Sequence, residues 1–239
     1  MKDPVTPLAA VAALFAAALF SPAAAETETP VVVELFTSQG CNSCPPADAL
    51  LGELAGRDDV LPLSFHVTYW DRLGWPDTFG LEASTARQRA YAGTLGLPGL
   101  YTPQMVISGR LDVVGSQRDR VLRAIELLQA QPTDGPALSV QNGALTIGAG
   151  GGTKATIWLM AFDISREVAI KRGENRGRTL VYHHVVREVI ELGRWTGQAA
   201  RLVMPLDRLR REGRDAAAVL VQRATDGAII GALRVDFED

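Results

Sequence analysis

Cysteine is almost absent from this chain of 239 residues, which contains two, Cys41 and Cys44. That scarcity excludes a disulfide-dense scaffold and a zinc site made of four cysteines. Histidine is nearly as rare, at three residues (His66, His183 and His184). No basic block exists either: 24 Lys and Arg stand against 27 Asp and Glu, for a net charge of −3. Nothing in that balance argues for nucleic acid or for an anionic membrane surface. Internal repeats are lacking, and the one glycine-rich stretch, Gly148 to Gly152, reads as a loop. Beyond the first 25 residues no segment approaches the apolar length of a membrane span, so no stable membrane insertion is expected. What remains is ordinary globular composition, 47% hydrophobic and 21% charged, at a length that suits one large or two modest domains.

The N-terminus carries the first functional signal. Lys2 precedes the apolar run PLAAVAALFAAALF (Pro7 to Phe20), then Ser21, Pro22 and the small residues Ala23, Ala24 and Ala25. An apolar core of that length ending in Ala-x-Ala has the pattern of a secretory signal cleaved before Glu26. The expected location is therefore periplasmic or secreted. In such an oxidising compartment, two cysteines imply one disulfide.

From Val31 onward the pattern alternates. VVVELF (Val31 to Phe36) is a β-branched apolar run that suits a strand buried on both faces. Pro46 to Leu54 places Ala47, Leu50, Leu51 and Leu54 at helical spacing. Val60 to Trp70 reads as a second strand and Glu82 to Leu95 as a second helix. Two short strands surround a Gly109-Arg110 turn. Ser116 is the expected N-cap of a third helix, with Val121, Leu122, Ile125 and Leu128 on one face. Alternating strands and helices imply parallel strands with crossover helices, and the late hairpin adds an antiparallel edge. Gln129 to Pro136 reads as a linker. Beyond it come short strands with turn signals between them, Asn142-Gly143 and Asp226-Gly227 among these, which predict a β-sandwich over 137–239. The fold class expected is α/β over 31–130 followed by that sandwich.

The spacing Cys41-x-x-Cys44 admits three readings. A disulfide closing so short a loop contributes only about 2 kcal/mol on the chain-entropy model, against about 4.7 for a loop of 100 residues, so it is poorly placed as a staple. As metal ligands the two thiolates supply half of a tetrahedral site, and His66 is the one histidine in the same region to join them. The third reading is a redox pair. Cys41 at the mouth of a helix faces unpaired N–H groups and the positive end of the macrodipole, which favour a thiolate. Cys44, one turn later and deeper, is then the resolving thiol. The proline pair Pro45-Pro46 suits a first helical turn, where a missing N–H costs little.

This part of the chain resembles the thioredoxin family in its first strand, its Cys-x-x-Cys helix and its element order. The resemblance implies that Tyr101-Thr102-Pro103 is the loop facing the cysteines, with a cis bond before Pro103 that exposes Thr102 to an extended substrate peptide. It further implies that Glu34, alone among apolar residues in VVVELF, is the buried acid that relays a proton for Cys44. Gly40 stands where that family has tryptophan, and one more residue separates Glu34 from Cys41. The longer segment after the second strand puts Tyr69, Trp70 and Trp75 in position to build a substrate groove. More closely, the stretches ELFTSQGCNSCPPAD, SFHVTYWDRLGW, TARQRAY, YTPQMVISG and RGENRGRTLVYHHVVREV resemble a family of secreted bacterial proteins described only as a domain of unknown function.

The expectation is thus an exported thiol–disulfide oxidoreductase, or a substrate-restricted relative, acting through Cys41 and Cys44 on protein, peptide or small-molecule thiols and disulfides, needing no cofactor. Two alternatives stay open. One is a binding protein with a non-catalytic disulfide; the other is a metal-handling protein using Cys41, Cys44 and His66. His183 and His184 alternate along a predicted strand, so at most one faces any site, and the basic run KRGENRGR (Lys171 to Arg178) reads as a solvated loop.

Overall fold

The structure, a computed structural model, describes residues 29–132, 134–150 and 152–237. The signal-like segment before Glu26 lies outside them. In chain order the elements are β1 (Val31–Thr37), α1 (Pro45–Leu54), β2 (Val60–His66), a 3-10 turn (Asp71–Leu73), α2 (Glu82–Thr94), β3 (Gln104–Ile107), β4 (Leu111–Val114) and α3 (Arg118–Gln129). They are followed by β5 (Leu138–Gln141), β6 (Ala144–Ile147), β7 (Ala155–Ala169), β8 (Thr179–Trp195), β9 (Ala200–Val203), α4 (Leu206–Arg211), β10 (Ala216–Arg223) and β11 (Ile229–Asp236). No helix among the described residues is long and apolar enough to cross a membrane.

The molecule is a mixed α/β structure with one large mixed sheet and one small antiparallel sheet. The large sheet has eight strands in the order β11-β10-β7-β8-β2-β1-β3-β4, and the small one runs β5-β6-β9. β1 is interior, as a β-branched run apolar except at Glu34 predicts. It pairs parallel with β2 and antiparallel with β3, and every one of its residues is buried.

Strand parity sorts β1 into two faces. Val31, Val33 and Leu35 pack against Leu50, Leu51 and Leu54 of α1 and Val121 and Ile125 of α3. Val32 and Phe36 point the other way, into a cluster with Leu63, Phe65, Tyr91 of α2, Met160 and Phe162. The β1–β2 register pairs Leu35 with Ser64 and Thr37 with His66, so those β2 side chains share the α1 face. β2 ends at His66, earlier than the pattern suggested, and Val67 to Trp70 turn away toward the 3-10 segment. The third helix starts one residue later than expected, with Gln117 rather than Ser116 at its N-cap.

The expected division near 129–136 is not how the strands are joined. β8 pairs parallel with β2 at Ser64 and Val185, so the C-terminal strands β8, β7, β10 and β11 continue the sheet that β1 to β4 begin. The physical reason is the open side of β2, whose backbone groups would otherwise lack partners. A second seam closes at the far end, where the Ile229 N–H donates to the Ser108 carbonyl at 2.8 Å. In the C-terminal half the small sheet packs on the large one. There Leu145 and Ile147 of the small sheet bury against Ile157, Leu159 and Val219 of the large one.

Candidate functional site

Cys41 and Cys44 form a disulfide with their Cα atoms 5.5 Å apart. Cys44, not Cys41, is the N-cap of α1, and Pro45 and Pro46 fill the first helical positions. Two prolines remove two of the N–H donors that a helix N-terminus ordinarily presents. The expected supply of free N–H groups around the Cys41 sulfur is correspondingly reduced. Neither sulfur is open to solvent: Cys41 is 1% exposed and Cys44 fully buried.

The cover comes from the far half of the chain. The turn between β7 and β8 carries Asn175, whose buried Nδ2 donates to the Cys41 carbonyl at 2.9 Å and to the Gln39 carbonyl at 3.0 Å. Beside it, the Asn42 N–H donates to a Glu174 carboxylate oxygen at 3.3 Å. The basic run expected to be a solvated loop is therefore a cap, although its charged side chains do face solvent.

Beneath the disulfide lies a buried polar layer that sequence reasoning missed. Asp48, one turn beyond Cys44, accepts a 2.8 Å hydrogen bond from the Thr37 hydroxyl. His66 Nδ1 lies 2.8 Å from Asp77 Oδ2, and the Asp77 carboxylate also accepts the N–H groups of Gln39 at 2.7 Å and Phe79 at 2.8 Å. The Tyr182 ring packs edge-on against His66. Asp48 Oδ2, Ser64 Oγ, His66 Nε2 and Tyr182 Oη are buried with no hydrogen-bond partner among the described residues. Burial pushes the Asp48 carboxyl up to about 7, with His66 and the Thr37 hydroxyl pulling the other way. For Asp77, burial also pushes upward, but His66 and the two backbone N–H groups outweigh it and hold the carboxyl below its ordinary value. Burial, aided by Asp48 and Asp77, raises the Tyr182 phenol. One signal was present in the sequence. Cys44, Asp48 and Leu51 recur at i, i+4 and i+7, which places a carboxyl on the inward face of an otherwise apolar helix.

Glu34 is buried as expected, but not where a proton relay for Cys44 requires it. It shares the Val32 and Phe36 face of β1, across the sheet from α1. Both of its carboxylate oxygens pair with the Arg87 guanidinium, and the Tyr91 hydroxyl donates to it. Arg87 is raised against its own burial by Glu34, and burial first of all drives the Tyr91 phenol well up. Parity within VVVELF separates the two sets of side chains, and only the tertiary fold decides which set meets α1.

The aromatic segment does converge on the approach to the cysteines. Trp70 Nε1 donates to Thr102 Oγ1 at 2.8 Å, and the Trp70 Cβ lies 3.4 Å from where a Cβ on Gly40 would stand. Trp75 Nε1 donates to Gln39 Oε1 at 2.8 Å. Tyr69 stacks beside Trp70 with its hydroxyl buried, which raises the phenol. The Thr102–Pro103 peptide is cis, and Gln88 holds the preceding Tyr101 carbonyl at 2.7 Å.

His66 shares the α1 face with Cys44, but its Nδ1 is taken by Asp77. Among the described residues no group of three or more His, Cys, Asp or Glu is disposed to hold a metal ion. Of the other histidines, His184 Nδ1 bonds the Pro62 carbonyl at 2.8 Å, and His183 lies over Gly52 of α1, where an added Cβ would come within 2.6 Å of its ring.

Residues 32–222 match a family described as protein of unknown function, DUF1223. This chain belongs to the DUF1223 family. Among solved structures, the DUF1223 chain is similar to protein AGR_C_4864 from Agrobacterium tumefaciens, at 32% identity over 87% of this chain and 95% of that one, with a TM-score of 0.75. It is also similar to HBP35 of Porphyromonas gingivalis, at 15% identity over 87% of this chain and 75% of that one, with a TM-score of 0.55. The second likeness is one of fold alone. No curated protein matches the DUF1223 chain.

Proposed function

We propose that this protein is an exported thiol–disulfide oxidoreductase whose working pair is Cys41 and Cys44, acting on protein or peptide thiols and disulfides. The observation that carries the reading is a buried, proton-accepting carboxyl, Asp48, one helical turn from Cys44 and on the same side of the sheet. The elements over 31–130 follow the thioredoxin-like order, with β1 interior, the Cys-x-x-Cys segment leading into α1, and Thr102-Pro103 on the approach. The half over 137–239 adds sandwich-like packing. The signal-like N-terminus supports a periplasmic or secreted location.

In the reducing direction the Cys41 thiolate attacks a substrate disulfide and forms a mixed disulfide, and the first substrate sulfur leaves as a thiolate. Cys44 then loses its proton and attacks the Cys41 sulfur. The second substrate thiolate departs, and the Cys41–Cys44 bond forms again, so the substrate gains the two electrons that the protein loses. A carboxyl held near 7 suits the proton step, because its two forms are comparably populated at neutral pH. The role first expected of Glu34 passes to Asp48, with the His66–Asp77 pair behind it.

One observation favours a second reading, a binding protein with an inert disulfide: Cys41 is 1% exposed beneath Asn175. Disulfide exchange with a model disulfide, followed for the reduced protein and for Cys41→Ser, separates the two. Exchange that depends on Cys41 supports the oxidoreductase, and its absence at neutral pH supports the binding protein.

A further inference from the structure

The turn beside the cysteines is tied together by its own hydrogen bonds. Ile170, at the end of β7, is buried and fixes its base. Internal bonds shape it: Gly177 N–H to the Ile170 carbonyl at 2.8 Å, Arg178 N–H to the Asn175 carbonyl at 3.1 Å, and Arg178 Nη1 to Asn175 Oδ1 at 3.1 Å. Gly173 and Gly177 have φ of +76° and +82°, the left-handed region that glycine enters at little cost. At Gly173 an added Cβ would come within 3.1 Å of Trp75 Cβ, so the turn closes against the aromatic segment. Asn175 is the one buried side chain between Lys171 and Arg178. Its grip on the cysteine segment consists of two hydrogen bonds to backbone carbonyls, and no apolar side chain within the turn adds to it.

We propose that Asn175 fastens a cover over Cys41 that sets the size of reagent the disulfide meets: small thiols react through brief local openings, and a protein thiol reacts only after the whole turn lifts. This rests on the oxidoreductase reading for its biological use, but not for its chemistry, since the reactivity of the protein's own disulfide is what the cover controls. A large partner must bring its sulfur into line with a Cys41 that is 1% exposed, and the Asn175 contacts to the Gln39 and Cys41 carbonyls hold the turn against that same segment. A small thiol needs only a brief local opening. Releasing the turn exchanges the two buried Asn175 hydrogen bonds, and the exposed one from the Asn42 N–H to Glu174, for bonds to water, a small net cost that keeps the open form within reach.

The test follows reduction of the Cys41–Cys44 bond in the full oxidised protein by two reagents, dithiothreitol and a purified reduced thioredoxin. In the wild type the protein reductant should be the slower at equal thiolate concentration. Asn175→Ala should speed the protein reductant by about ten- to thirty-fold, the worth of two buried hydrogen bonds, and dithiothreitol by less than about three-fold. Equal acceleration of both reagents, or of neither, would overturn the proposal. Hydrogen exchange on the wild type guards against a poorly folded variant. The amides of Arg176, Gly177 and Arg178 should exchange faster than those of β1 and through local opening; protection equal to that of β1 contradicts the cover. A protein that shows this size dependence yet performs no disulfide exchange on substrates keeps the cover and loses the oxidoreductase reading.

Discussion

Asp48 follows Cys44 by one turn of α1, with its N–H donated to the Cys44 carbonyl at 3.1 Å and its buried carboxyl held by the Thr37 hydroxyl. The only acid on that helix face thus belongs to the turn that begins at Cys44. Its environment favours the neutral form, and the consequence is measurable in stability as well as in reactivity.

The folded pKa of Asp48, about 7, lies above the ordinary 3.8. The folded state therefore holds a proton that the unfolded chain releases, and the associated stability is complete below pH 4 and lost as pH rises through 7. Asp48→Asn is neutral at every pH and cannot lose it. Chemical denaturation should show the variant gaining on the wild type between pH 4 and 7, by up to a few kcal/mol, with a constant gap above that range. Parallel curves would show that Asp48 ionises normally. In reduced protein the same variant should slow resolution of a mixed disulfide at neutral pH while leaving its formation unchanged.

On the proposed reading the two thiols divide the labour by position. Cys44→Ser should accumulate mixed disulfides, because attack by Cys41 proceeds and resolution does not, and Cys41→Ser should accumulate few. Trapping followed by non-reducing electrophoresis reads this directly. Equal trapping by the two variants would reverse or abolish the assignment.

Glu34→Gln tests the structural role of the acid in β1. It leaves the Arg87 guanidinium buried without its counter-charge, and loss of one partner of such a pair costs about 3–5 kcal/mol. Urea denaturation should register that loss. The alkylation rate of the reduced cysteines against pH should not change, whereas a shifted profile would restore Glu34 to the proton path.

The joining of the two halves has its own probe. Gly109 has φ of +68°, and a Cβ there would fall 2.1 Å from the Gly227 carbonyl oxygen, beside the seam where Ile229 meets Ser108. Gly109→Ala should cost at least about 1–2 kcal/mol from the backbone alone, read as a lower melting temperature. Unchanged melting would mean that the seam contributes nothing.

Much of this architecture was legible in the sequence. The interior place of β1 follows from the β-branched, mostly apolar run Val31 to Phe36, and the strand–helix alternation follows from apolar spacing. The pairing of β8 with β2 was not legible, because an open strand edge leaves no mark on the pattern of side chains. For the site, the cysteine pair and the burial of Glu34 could be read, but the face Glu34 takes could not. Asp48 was readable at i+4 from Cys44 and was obscured by the resemblance that pointed to Glu34. Asn175 meets Cys41 across 134 residues of chain, and no local pattern carries such a contact.

The measurement that tests the redox role most directly is the reduction potential of the Cys41–Cys44 bond, taken by equilibration with glutathione or dithiothreitol buffers at pH 7. A catalytic pair should lie between about −120 and −270 mV, the span of known exchange proteins. A value below about −300 mV would mark an inert structural disulfide and contradict the account.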